Sequence, residues 1–506
     1  MDKAILWVNK ALRAWENLDE YTDEERDLIF TDINAEYAHF DGEVQMQVKN
    51  VILSNLDMEV AMTFLSVLIQ NGAAEYWASF YIQIAENLEL DNKLLSAIEL
   101  HLNGIKGIDR NDLQSFHDRN VMRWKKQIPI RAKWKKVQQR DAKRIVIVTE
   151  QLLSELHAPT KAVLELAYLL QHKMHYEVMI ISTPIDVQEI CSIWNQAFWM
   201  QNIPEYSEKG IKREYKGEMF YGYQMTMSKA NNADYSLLLS YILEWNPLFV
   251  FNFGLFNPVM DLLADYTTVV ARSMTTKLPI SKAQFLVGLQ NKEDTEIQDF
   301  QKIVSFEKTS LSFEPAKRVH TRLMYQMEEK QFLCVIVGNR LEEDVDESFV
   351  QMLHEISVEN ERIAFVFIGK VEKKKEELQK QIPDRQLYFI DYCDDLMGIY
   401  QIMNLYVNPR RQGGGYSAAM AIAAGLPVIT CDYGDVAYHV GTEFSVSDYE
   451  KMEQEVLHYA EDSAYNDEKK RQAEERAKDM TEDNTFRVME DNINKLIKEI
   501  YTGGIR

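Results

Sequence analysis

Asn408-Pro409-Arg410-Arg411-Gln412-Gly413-Gly414-Gly415-Tyr416-Ser417-Ala418-Ala419-Met420-Ala421-Ile422-Ala423-Ala424-Gly425-Leu426-Pro427 is the stretch on which the reading of the fold turns. It follows the short apolar run Leu405-Tyr406-Val407 and leads into Val428-Ile429-Thr430, so it reads as a crossover between two buried strands. Pro409 helps to end the first strand, and three consecutive glycines let backbone N–H groups approach a ligand closely. The small residues from Ala418 to Ala424 favour a helix that packs tightly. The start of that helix offers unpaired N–H groups and the positive end of its dipole. The pattern predicts an anion site, completed by Arg410, Arg411, Tyr416 and Ser417. The plainer alternative is a glycine turn that serves only close packing. No Gly-Lys-Ser/Thr follows the glycines, and Gly-x-Gly-x-x-Gly is absent, which excludes two familiar phosphate loops.

The same rhythm extends on both sides. Phe332–Val337, Ala364–Ile368 and Leu387–Ile390 are further short strand-like runs separated by helix-like segments, so residues 326–480 read as a doubly wound domain. Upstream, Ile145–Thr149, Val178–Ser182, Leu248–Asn252 and Thr267–Val270 alternate with helices at Lys161–His172 and Val259–Tyr266, giving an earlier α/β domain over 144–325. Residues 275–330 are weaker in pattern and read as the link to the second sheet. Residues 1–143 are helical, with apolar positions at helical spacing in Val60–Ile69 and Tyr76–Leu90, and they end in a basic linker. Residues 481–506 form a C-terminal helix that can pack back on the first α/β domain. In doubly wound sheets ligands lie outside the carboxyl ends of the strands, so a cleft between two such domains is the expected site.

The chain has 506 residues, of which 46% are hydrophobic and 27% charged, the balance of an ordinary globular protein. Its net charge of −23 argues against a general nucleic-acid binder. Against that background residues 122–144 carry ten Lys and Arg with one acid, Asp141, and with Trp124 and Trp134 interleaved. They read either as a solvated linker helix or as a contact surface for anionic lipid or an acidic partner. The four cysteines, Cys191, Cys334, Cys393 and Cys431, include no Cys-x-x-Cys pair, which suits buried thiols in a reducing compartment. No apolar core precedes Lys10 and Arg13, so the start does not read as a signal peptide. The longest apolar uncharged stretch, Trp245–Met260, is shorter than the roughly 20 residues of a membrane span. The expected location is cytoplasmic, peripheral to the membrane's inner face if the lipid reading holds.

The glycine segment resembles the C-terminal-domain signature of GT-B glycosyltransferases that use nucleotide sugars. Gly413, Gly415, Ala421, Ala423, Gly425, Pro427 and Val428 fall at matching spacing. Val337-Gly338-Asn339-Arg340-Leu341 is similar to the family's Gly-Arg-Leu turn, in which the arginine commonly holds the donor diphosphate. Phe389-Ile390-Asp391-Tyr392, followed by Leu396 and Tyr400, resembles the segment that frames the nucleobase. The resemblance implies two Rossmann-like doubly wound domains preceded by an all-α domain. It also implies a nucleotide-sugar co-substrate, a UDP-sugar being the first choice, with no metal or other cofactor. Gly338, Asn339, Arg340, Tyr392, Leu396, Arg410, Arg411, Gly413, Gly414, Gly415, Tyr416 and Ser417 would bind the donor. Departures are equally visible. The retaining branch usually has two glutamates seven residues apart, and here those positions read Gln412 and Met420. Gln412 can still bond a sugar hydroxyl, whereas Met420 cannot bind a ribose. A helical domain ahead of GT-B halves also resembles the O-linked N-acetylglucosamine transferases and the bacterial adhesin glucosyltransferases, which modify proteins.

Arg340 and Gln412 are the catalytic candidates in the second domain. In the first, His157 stands before Ala158-Pro159-Thr160, a helix start after the strand ending at Thr149, and is a candidate acceptor contact or base. Asn257-Pro258 marks another strand-to-helix loop. Asp344-Val345-Asp346 reads as the start of a solvated helix rather than a metal motif. The leading expectation is transfer of a hexose or N-acetylhexosamine to a protein, glycan or lipid-linked acceptor. Its competitor is a non-catalytic GT-B partner or chaperone that presents acceptor polypeptide to an active transferase. Either role allows a homo- or hetero-oligomer.

Overall fold

A computed structural model describes residues 2–21, 23–69, 74–87, 92–103, 108–155, 157–184, 210–226, 229–254, 257–274, 278–288, 297–307, 313–411 and 413–502. The chain divides into two compact units, Met1–Phe306 with Leu496–Arg506, and Glu307–Lys495.

The first unit opens with helices α1 (Asp2–Glu16), α2 (Asp23–Ala38), α3 (Gly42–Asn55), α4 (Met58–Leu68), α5 (Ala74–Asn87), α6 (Asn92–Asn103) and α7 (Arg110–Gln127). In α1 the buried positions Ala4, Trp7, Val8 and Ala11 recur at helical spacing and meet the interior. Trp7 stacks on Trp77 with centroids 5.6 Å apart, and its indole N–H donates to Ile33 O at 2.9 Å. Pro129 forces Ile128 into an extended conformation (φ −105°, ψ 100°), so α7 stops there. The basic segment therefore continues as an extended strap and not as the solvated helix expected. Arg140 at its end is buried, donating to Leu248 O at 3.0 Å and Thr268 Oγ1 at 2.6 Å.

The sheet of this unit comprises β1 (Asp141–Thr149), β2 (Glu177–Ser182), β3 (Gly210–Tyr215), β4 (Glu218–Gln224), β5 (Pro247–Phe253), β6 (Val269–Arg272), β7 (Phe285–Gly288) and β8 (Lys302–Ser305), in spatial order β3-β4-β2-β1-β5-β6-β7-β8. The central strands are parallel and buried on both faces, as helical crossovers require. Helices α8 (Ala158–Tyr168) and α9 (Asn232–Trp245) are among those crossovers. The antiparallel β3–β4 hairpin and strands β7 and β8 were not expected. The expected helix at 259–266 is a 3-10 turn, Met260–Asp265, started by Asn257, whose side chain accepts from Met260 N at 3.1 Å.

One buried network joins the helical layer to this sheet. His117 of α7 bonds Glu99 Oε1 of α6 through Nδ1 at 2.5 Å and Asp261 Oδ2 of the 3-10 turn through Nε2 at 2.7 Å. Asn120 donates to Glu99 Oε2 at 3.0 Å, and Ser281 Oγ donates to Asp261 Oδ1 at 2.8 Å. Burial lowers the imidazole's proton affinity, but the two carboxylates outweigh it and push the pKa up to about 10.

The second unit holds β9 (Phe332–Val337), β10 (Ile363–Ile368), β11 (Leu387–Ile390), β12 (Leu405–Val407), β13 (Val428–Cys431) and β14 (Ser445–Val446), all parallel, in order β11-β10-β9-β12-β13-β14. Its helices are α10 (Leu341–Asp344), α11 (Glu347–Glu359), α12 (Lys373–Gln381), α13 (Leu396–Tyr400), α14 (Gly415–Ala423), α15 (Gly434–Val440), α16 (Tyr449–Glu461) and α17 (Ser463–Ala477). Cys334 and Cys431 are buried free thiols on β9 and β13, and Cys191 lies outside the described residues. Helix α18 (Glu482–Thr502) begins in this unit, where Asn492 holds both backbone groups of Glu307. Its last turns belong to the first unit, with Glu499 paired to Lys302. Among the described residues no helix is long and apolar enough to cross a membrane.

Candidate active site

The carboxyl ends of β9, β10, β12 and β13 converge in the second unit, where doubly wound sheets place ligands. At the end of β12 the buried Asn408 turns the chain, its amide donating to Pro409 O at 2.8 Å and Thr430 Oγ1 at 3.2 Å. Its oxygen accepts from Arg411 Nε at 2.9 Å. Arg411 then points into the protein. It donates to Val337 O at 2.7 Å, to Tyr406 Oη at 3.2 Å and to Asp344 Oδ2 at 3.1 Å.

The glycine bend is laid over this guanidinium. Gly414 adopts φ +93°, and a Cβ there would stand 2.6 Å from Arg411 Nη2. A Cβ on Gly338 would stand 2.4 Å from Arg411 Nη1, so both sides of the bend need glycine. Gly414 caps α14 without a side chain. Ser417 Oγ donates back to Gly414 O at 3.0 Å and lies 2.9 Å from Tyr406 Oη, which fixes the first turn. Helix α14 thus presents a start lined by backbone, as the sequence pattern requires for an anion.

Arg411 is the clear difference from expectation: it holds the bend from below and does not face outward, because protein partners take four of the five N–H groups of its buried guanidinium. The exposed cations are Arg340 and Arg410. Arg340 precedes α10, with Nη2 3.8 Å from Asp344 Oδ1 and 3.5 Å from where a Cβ on Gly413 would lie. Arg410 donates its backbone N–H to Tyr449 Oη at 2.8 Å, and its guanidinium sits 5.3 Å from the Tyr433 ring centroid. Asn339 is exposed, and Gly413, Tyr416 and Ser417 are half-buried, Tyr416 lying edge-on to Phe313 at 5.0 Å. Tyr392 is 68% exposed beyond β11, and Leu396 opens α13 partly buried. Gln412 lies outside the described residues. In the first unit His157 caps α8, half-buried, with Nδ1 2.9 Å from Thr160 Oγ1, and burial lowers its pKa.

Three features were missed in the sequence. Asp344 braces Arg411 and neighbours Arg340. Its position four residues after Arg340 was the available signal. The other half of that Asp-x-Asp, Asp346, caps α11 by accepting from Phe349 N at 2.7 Å. Asp395 fixes the segment before α13. Burial opposes its charge, yet the N–H groups of Lys317, Arg318 and Gly398 with His320 hold it below the usual carboxylate range. Asp435 and His439 of α15 crowd Gly415, and burial pushes the Asp435 pKa up to about 6. Among the described residues no group of three or more His, Cys, Asp or Glu side chains is arranged to hold a metal ion.

Residues 331–462 match the family described as glycosyl transferases group 1. Among solved structures, an O-GlcNAc transferase of Thermobaculum terrenum aligns over 99% of this chain and 98% of its own, at 11% identity and a TM-score of 0.56. A glycosyltransferase from Rickettsia africae aligns over 72% of this chain and 100% of its own, at 12% identity and a TM-score of 0.53. A sucrose-phosphate synthase from Thermosynechococcus elongatus covers the same shares at 10% identity and a TM-score of 0.50. At such identities the likeness is one of fold. No curated protein matches the sequence. Residues 331–462 of the second unit thus match the glycosyl transferases group 1 family, and the chain as a whole has the fold of GT-B glycosyltransferases.

Proposed function

We propose that the second unit binds a nucleotide-sugar, a UDP-sugar first among candidates, and that the chain transfers its hexose or N-acetylhexosamine without a metal. The observation that carries this reading is the bend Gly413–Gly415, held over buried Arg411 beside exposed Arg340. Transfer breaks the bond between the anomeric carbon and the diphosphate, so negative charge grows on the leaving group. The N–H groups at the start of α14 and the Arg340 guanidinium stabilise that charge. Arg410 adds a second cation at the rim. Tyr392 and Leu396 frame the base, and Gln412 bonds the sugar. His157, kept neutral by burial, orients the acceptor hydroxyl or takes its proton. The acceptor is a protein, a glycan or a lipid-linked saccharide, and the protein acts in the cytoplasm with a peripheral contact to the membrane.

The test is donor turnover by Arg340→Ala. Transfer falls about a hundredfold, the cost of removing one stabiliser of developing charge. Unchanged transfer removes Arg340 from the reaction. A second reading rests on Met420, which packs against the apolar core where a ribose-binding carboxylate would stand. In that reading the chain is a non-catalytic partner that presents acceptor polypeptide. A nucleoside diphosphate at about 100 times its Kd raises stability by about 2.7 kcal/mol in the first reading and leaves it unchanged in the second.

A further inference from the structure

The strap after α7 runs along α9. Asn232 donates to Gln127 Oε1 at 3.2 Å, Ser236 Oγ to Pro129 O at 2.6 Å, and Lys135 Nζ to Asn246 Oδ1 at 2.9 Å. These contacts follow α9 from its first turn to its C-cap. They also divide the basic segment into two groups. Arg123, Lys125, Lys135, Arg140, Lys143 and Arg144 are engaged with the protein. Lys126, Arg131, Lys133 and Lys136 are exposed and make no ion pair among the described residues.

Helix α9 has two apolar faces. Tyr235, Leu238, Leu239 and Ile242 are buried, as a crossover helix requires. Leu237 and Tyr241, one turn apart, are 72% and 51% exposed. The acids nearby do not cancel the cations. Asp234 is occupied in the cap of α9 and Asp265 in its pair with Lys125, which leaves Glu244 exposed. Four exposed cations without an ion pair among the described residues therefore lie at the end of α7 and on a strap bonded along the helix that carries two exposed apolar side chains, in a chain whose net charge is −23.

We propose that the end of α7, the strap and the outer face of α9 together dock onto an anionic lipid bilayer, with Lys126, Arg131, Lys133 and Lys136 at the headgroups and Leu237 and Tyr241 entering the interface. The combination decides the partner class. A nucleic-acid duplex or polyglutamate uses the cations and leaves Leu237 and Tyr241 in water, whereas a bilayer surface uses both. This inference deepens the membrane contact included in the proposed function and does not rest on the donor site.

The experiment is co-sedimentation of the full chain with phosphatidylcholine vesicles made with or without phosphatidylglycerol. The chain binds the anionic vesicles and not the neutral ones, and salt weakens binding. Arg131→Glu with Lys133→Glu reduces binding about 25-fold or more, taking about fivefold for each cation lost. Leu237→Ser with Tyr241→Ser also weakens binding to anionic vesicles, and the portion that survives high salt disappears. All four positions are exposed, so thermal unfolding and nucleoside-diphosphate binding stay at wild-type values and separate this outcome from failure of the donor reading. Equal absence of binding to both vesicle types overturns the proposal, as does anionic binding that neither pair of substitutions alters. Capture of RNA or polyglutamate in place of vesicles overturns it in favour of a polyanion site.

Discussion

Arg411 and His117 are both buried cations held by carboxylates, yet they do different work. Arg411 lies in the second unit beneath a loop, and its neighbours are a carbonyl, a phenol, an amide and one carboxylate. Two of those partners and the loop above it belong to strand ends. Its charge is spent on the shape of a surface. His117 lies in the first unit between two carboxylates from different layers, far from any bend. Its charge is spent on docking helices to a sheet. Burial of a cation near a glycine loop does not make it a ligand contact. What matters is how many N–H groups remain for a ligand, and for Arg411 the neighbours take four of five.

Replacing each residue separates shape from docking. Arg411→Ala has the largest expected effect because it strikes two properties at once. It orphans Asp344 and Val337 O, costing about 3–5 kcal/mol of stability as for other broken buried pairs. It also frees the bend, so nucleoside-diphosphate binding weakens about tenfold or more; calorimetry and urea unfolding read the two losses. His117→Ala costs about the same stability, but nucleotide binding by the surviving folded protein stays at the wild-type value. If binding falls in parallel with stability in both variants, the division of labour between the two cations is wrong.

The third test is a pH dependence. His117 titrates near 6.5 when unfolded and at about 10 when folded. Its raised pKa means that the stabilisation is complete below about 6.5 and drains away as pH rises toward about 10. Unfolding midpoints of the wild type therefore decline across that window, while those of His117→Gln decline less. Parallel slopes for the two proteins place the pH dependence elsewhere.

The long parallel strands were legible because burial on both faces demands near-continuous branched and aromatic runs, as in Ile145–Val148 and Ile363–Ile368. The β3–β4 hairpin was not. Its strands alternate with charged residues, and its turn is Lys216-Gly217 at φ 50° and 80° in place of an Asn-Gly signal. The 259–266 segment carries helical spacing but is too short to exceed about two tight turns before β6 begins. In the site, the bend and its helix followed from the glycines and small residues. The roles of Arg410 and Arg411 did not, since adjacent identical residues look alike in sequence. What separates them is Asp344, 67 residues earlier, and Val337, 74 residues earlier. Such partners become visible only when β9 and β12 lie side by side.

The docking network in the first unit bears on how this architecture can be divided. A fragment beginning at β1 would keep Asp261 with Ser281 and Lys282 but strip away the imidazole that neutralises it. It would also uncover the apolar seam shared by α7, α9 and the 3-10 turn. The amino-terminal helices are therefore no detachable cassette, and swapping in helices from another protein requires a replacement proton carrier at the place of His117.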